Sequence, residues 1–126
     1  MTTATTITQA DLEAFIGTTN WYKGICGLLF TDGVKFLAEH AEAFWLIDVV
    51  ASYQRRLART ERLREFQLWQ IKRTASNPQG VIVTCRGDSD EEPVVTQHIP
   101  YSDFPAELLP LEWYVEGGVM LLKSEH

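Results

Sequence analysis

Phe66-Gln67-Leu68-Trp69-Gln70-Ile71-Lys72 is the stretch at which the chain changes its period. It is rich in strand formers and follows a long segment of helical spacing. Its in–out alternation slips phase between Leu68 and Trp69. That slip predicts either a bulge or a strand buried on both faces.

Upstream of it the spacing is that of helices. Leu46, Val50, Tyr53 and Leu57 fall on one face at 100° per residue, with Asp48, Ser52, Arg55 and Arg59 on the opposite one. Phe44, Trp45, Ile47 and Val49 fill much of the rest, so the polar stripe is narrow. The spacing predicts a central helix over 43–58, and no Gly or Pro between 58 and 65 stops it. Earlier, Thr31 or Asp32 caps a helix whose stripe is Val34, Leu37, Ala38 and Ala41, with Phe36 and His40 together on a third face. Residues 20–31 read as irregular or short extended structure. Thr8, with Asp11 three residues on, forms a variant capping box for a helix over 9–16 carrying Leu12, Phe15 and Ile16, which Gly17 ends.

Downstream the signals are those of strands. Ser76-Asn77-Pro78-Gln79-Gly80 is a turn, and Val81 to Cys85 a second strand. A polar loop over 86–93 leads to a third strand over 94–101, with Val95, Ile99 and Tyr101 in phase and His98 on the other face. Pro105 and Pro110 bracket room for one helical turn. Gly117-Gly118 then sits at the tip of a β-hairpin over 112–122. The expected class is α+β: about three N-terminal helices packed on one face of a four- or five-stranded antiparallel sheet. Residues 1–126 read as one compact domain, with the Thr-rich residues 1–7 as a flexible arm.

Composition removes several function classes. The 126 residues are 45% hydrophobic and include fourteen aromatics, which excludes a wholly disordered chain. A net charge of −6 excludes a uniformly basic nucleic-acid binder. The N-terminus lacks the basic and apolar regions of a secretory signal. No apolar run approaches the roughly 20 residues of a membrane span, so no membrane association is expected. Cys26 and Cys85 are isolated, and with His40, His98 and His126 they complete no zinc pattern. A cytoplasmic protein with two reduced thiols fits best, although the two could be joined in a disulfide.

The charge is unevenly placed. Residues 55–73 carry seven basic and two acidic groups, whereas residues 86–126 carry two basic and nine acidic. Arg55, Arg56, Arg59, Arg62 and Arg64 could contact phosphates. A solvated helix end, or pairing with the acidic half of a neighbouring molecule, accounts for them more simply. The adjacent pairs Trp21-Tyr22 and Trp113-Tyr114 are candidates for a protein interface, because one ring of each points outward if the backbone is extended. They could equally cover the ends of the core. Asp48 interrupts an apolar run and is the one candidate for a buried carboxylate with a catalytic pKa. It also shares a face with Ser52 and Arg55, as a member of a wet stripe would. Asp88, Asp90, Glu91 and Glu92 lack the offsets of a calcium loop and read as a solvated hairpin loop. Gly24, Gly27 and Gly33 form no phosphate cradle, and no nucleotide, cofactor or metal signature occurs.

A set of short pieces in order adds one resemblance. Thr31-Asp32-Gly33-Val34-Lys35-Phe36-Leu37-Ala38-Glu39 is followed by Trp45-Leu46-Ile47-Asp48 and Ala51-Ser52-Tyr53-Gln54. Phe15-Ile16-Gly17-Thr18, Tyr22-Lys23, Phe66-Gln67-Leu68-Trp69, Tyr101-Ser102-Asp103-Phe104-Pro105 and Leu121-Leu122-Lys123-Ser124-Glu125 complete the set. It resembles a family of small uncharacterised proteins carried by bacteria, their plasmids and phages. The resemblance implies a compact domain in a mobile-element setting and brings no activity with it.

The function these features suggest is a non-enzymatic binding or accessory protein acting through protein contacts, as a homodimer or with another protein. Two further readings stand beside it: a nucleic-acid-associated factor using 55–73, and a small enzyme centred on Asp48.

Overall fold

A computed structural model describes residues 8–17 and 20–126; the arm expected over 1–7 lies outside them. The chain opens with helix α1, Gln9–Glu13. The Thr8 hydroxyl accepts from the Asp11 N–H, and the Asp11 carboxylate accepts from the Thr8 N–H at 2.9 Å. The helix is shorter than its spacing suggests. Only Leu12 is buried, while Phe15 lies beyond the helix against the Phe36 ring and Ile16 is exposed.

Strand β1 (Trp21–Lys23) and strand β2 (Leu29–Thr31) flank a tight 3-10 turn at Ile25–Gly27. Helix α2, Asp32–His40, follows with no intervening loop. Its stripe of Val34, Leu37, Ala38 and Ala41 is buried, and Phe36 stacks on His40 at 4.0 Å between ring centroids. Helix α3, Phe44–Leu57, buries Leu46, Ile47, Val50, Ala51 and Leu57. It does not run on through 65. The chain breaks over 58–60 and restarts as α4, Glu61–Glu65.

The strands are β3 (Phe66–Arg73), β4 (Val81–Arg86), β5 (Val95–Ile99), β6 (Leu111–Glu116) and β7 (Val119–Leu122). With β1 and β2 they form one seven-stranded sheet in the order β1-β2-β7-β6-β3-β4-β5. Every neighbouring pair is antiparallel except β2 and β7, which run parallel. The α+β class stands, but about three helices on a four- or five-stranded antiparallel sheet is corrected to four helices and seven mixed strands. The two additional strands are three residues long, too short for a period-2 signal. The main-chain ladder holds them, with Leu29 opposite Val119 and Phe30 opposite Met120. The third strand also ends earlier than expected, and Tyr101 lies past it, exposed.

One face of the sheet carries the core. Trp69, Ile71, Val81, Val83, Cys85, Val95, Trp113, Val115 and Met120 pack there with the buried residues of all four helices. Trp69 and Trp113 sit opposite each other in the ladder and stack, with centroids 6.3 Å apart and planes 9° from parallel. The Gln67 amide, also buried, takes the Trp69 indole N–H at 2.8 Å, donates to the Leu63 carbonyl and exchanges bonds with Gln54. Burial of this polar group is tolerated because its bonds are made.

Candidate interaction face

The register explains the phase slip in β3. The ladders on both sides of β3 run without interruption, so there is no bulge. Trp69 faces the helices. Leu68 faces the other way and is still only 7% exposed. Leu121 has the same exposure and, like Leu68, lies outside the helix-side core.

Successive cross-strand pairs place these residues in rows on the second face. One row runs Leu121, Tyr114, Leu68, Arg86. The row on one side of it runs Val119, Glu116, Phe66. The row on the other side runs Glu112, Gln70, Thr84, Thr96. The Phe66 and Tyr114 rings are 5.2 Å apart. The middle of this face is therefore apolar and aromatic, where a water-facing antiparallel sheet ordinarily carries polar side chains. Among the described residues none of the four α-helices packs on it; the C-terminal 3-10 turn, Lys123–Glu125, lies against one flank. The Thr84 hydroxyl is buried there without a hydrogen-bond partner.

The C-terminal residues fold against one flank. Lys123 donates to the Glu112 carboxylate at 2.9 Å, and that hydrogen bond holds its ammonium above the ordinary value. His126 pairs with Glu116 and sets its ring against Tyr114. Beyond them lies a hollow of about 390 Å³ between Trp21, Val119, Leu121 and Glu125.

The aromatic candidates separate accordingly. Trp113 is fully buried in the core, so it is corrected from a surface candidate to a core residue; its indole N–H has no partner. Tyr114, next to it, lies half-buried on the second face. Trp21 is 56% exposed on the short strand β1. Tyr22 is tied to the start of α2: its hydroxyl donates to Asp32 at 2.9 Å, which raises the phenol above its usual range. Lys35 lies 4.5 Å over the same ring.

The arginines do not form one stripe. Arg56 donates to the Val94 carbonyl, and Arg62 pairs with Glu91 of the acidic loop. Arg59 is exposed. Arg55 and Arg64 come together at a different place, on the rim of a cleft beside the β6–β7 turn. Asp48 is exposed, which corrects its reading as a buried carboxylate. The acidic loop leaves Asp88, Asp90 and Glu92 exposed. His98 points to the second face, as its phase predicts, and is exposed. Neither cysteine is bonded: Cys26 is exposed and Cys85 buried.

Sequence reasoning did not single out Phe66, Leu68 or Leu121. The signal was present in the slip at Leu68-Trp69, but it does not say which face the helices take. Among the described residues, no helix is long and apolar enough to cross a membrane, and no group of three His, Cys, Asp or Glu is set to hold a metal ion. No curated protein and no solved structure matches this chain. A family model does match, over residues 6–126, and the chain belongs to that family, a family of unknown function designated DUF6876.

Proposed function

We propose that the protein is a non-enzymatic binding protein of the cytoplasm that acts through the helix-free face of its sheet, and that a second copy is its partner there. The observation that carries this reading is Leu68: an apolar side chain, almost excluded from water, on the face that none of the four α-helices packs against. Tyr114 and Arg86 flank it in its row. Tyr and Arg are the residue types that most often anchor protein interfaces.

The rows are self-complementary. A two-fold axis running along β3, between two facing sheets, sets β6 of one copy over β4 of the other. Position along the strands is preserved by that rotation. Arg86 of one copy then lies over Tyr114 of the other, with Glu112 and Glu116 two residues to either side. Leu121 falls over Val94, an exposed apolar residue just before β5. Face-to-face sheets keep their strand directions within about 30° of each other, with side chains filling roughly 10 Å between them. Each contact occurs twice, as a two-fold interface requires. A mobile-element setting, which the family resemblance implies, suits a small accessory protein of this kind.

The test is a charge exchange. Arg86→Glu alone and Glu112→Arg alone each place like charges across the interface and should weaken self-association. An equimolar mixture of the two variants restores both pairings and should give a heterodimer. If neither variant changes self-association, or if the mixture remains as weak as its components, this face is not the contact.

A further inference from the structure

We infer that the cleft rimmed by Arg55 and Arg64 binds a small amphiphilic carboxylate, an anionic head on a hydrocarbon body. The cleft is separate from the sheet face described above and shares none of its central residues. It has a volume of about 1000 Å³ and lies where four segments meet: the 3-10 turn, the second half of α3, the α4–β3 junction and the β6–β7 turn. That is the upper end of the roughly 300–1,000 Å³ typical of small-ligand sites.

Its construction favours an anion with an apolar body. Arg55 makes no hydrogen bond or ion pair with any described residue. Arg64 uses one nitrogen to hold the Ala58 carbonyl at 2.9 Å, in the break between α3 and α4, and keeps its other donors. Glu65 supplies one negative charge on the same rim, so the cluster is net positive by one. A monocarboxylate balances it. Ala58 and the Cα methylenes of Gly27, Gly117 and Gly118, over the nearly buried Leu28, give the body of the ligand a short apolar bed.

The loops that shape the cleft are held in place. Gly117 N–H donates to the Glu65 carbonyl, and Leu29 N–H to the Gly118 carbonyl, both at 3.0 Å. Cys26 sits in the left-handed region at φ 57°, a conformation a non-glycine residue adopts at a cost. Gly27, Gly117 and Gly118 also have positive φ, and nothing lies within 4 Å of where a Cβ would stand on any of them. The strained backbone at Cys26 lies in this rim, and strain of this kind is frequent at binding loops. Two arginines on separate elements suit one small carboxylate better than the regular phosphates of a duplex.

The experiment is an NMR titration of the full chain with octanoate below its micellar concentration, with octylamine and octanol in parallel. Octanoate should move the amide resonances of 26–28, 52–58 and 117–118 along saturating curves. Arg55→Ala, which removes no bond within the chain, should weaken that binding about tenfold, the scale of one charge-assisted hydrogen bond. Arg55→Ala with Arg64→Ala should abolish it. Octanoate should also slow maleimide labelling of Cys26. The inference fails if octanoate produces no saturable shifts, if the shifts fall elsewhere, if octylamine or octanol binds as well as octanoate, or if Arg55→Ala leaves the affinity unchanged.

Discussion

The Glu125 carboxylate accepts a hydrogen bond from the backbone N–H of Gly33 at 3.1 Å, across 92 residues of sequence. It also takes the Thr31 hydroxyl at 2.6 Å and the Leu122 N–H at 3.0 Å. The side chain from the end of the chain thereby satisfies the first turn of α2, whose N–H groups have no partner within the helix. It ties β2, α2 and β7 together at the point where the sheet runs parallel.

This closeness forbids a side chain at position 33. A Cβ on Gly33 would stand 2.5 Å from Glu125 Oε1 and 2.7 Å from Leu122 Cδ1. Gly33→Ala should therefore destabilise the fold by about 1–3 kcal/mol, the usual cost of overpacking. Gly17→Ala, where nothing lies within 4 Å, should be neutral or stabilising by up to about 1 kcal/mol. Urea unfolding of both variants checks the contrast.

The two core tryptophans differ in their hydrogen bonding. The Trp69 N–H is bonded to Gln67, while the Trp113 N–H has no partner. Each Trp→Phe change leaves a similar void, but Trp69→Phe also removes a buried hydrogen bond to Gln67 Oε1, which keeps its bond from Gln54, whereas Trp113→Phe removes a donor that has no partner. Trp69→Phe should cost about 1 kcal/mol more than Trp113→Phe, again by urea unfolding.

The thiols should separate by reactivity and by pH. Burial pushes the Cys85 thiol from 9.0 up to about 12, whereas Cys26 is exposed. Maleimide at neutral pH should label one cysteine in the folded chain and two after unfolding. Because the folded pKa lies above the unfolded one, the contribution of Cys85 to stability is complete below pH 9. It is lost progressively as pH rises from 9 towards 12. Cys85→Ala should lower stability overall yet flatten that alkaline decline, as unfolding curves at successive pH values would record.

What the sequence made legible follows the range of the interactions. α3 matched its 3.6-residue spacing to within a residue at each end, and the β6–β7 turn fell on Gly117-Gly118, both with positive φ. These signals are local. Strands β1 and β2 are three residues each; they pair with each other, and β2 joins the sheet through β7, ninety residues on, so no local period marks them. The Gly33–Glu125 contact has the same long-range character. The slip at Leu68-Trp69 left a bulge and burial on both faces as alternatives, and the uninterrupted ladders select the second; the rows that make a face of Leu68, Tyr114 and Leu121 appear only with the register. Arg55 and Arg64 looked like members of one basic run. The break over 58–60 sets them together on the cleft and sends Arg62 to the acidic loop.

Sedimentation equilibrium of the unmodified protein from micromolar to millimolar concentration reads whether the sheet face free of α-helices holds a second copy. Pairing through that face gives a weight-average mass that rises with concentration from 14.3 kDa towards twice that value and stops there. A mass of 14.3 kDa at every concentration would contradict it.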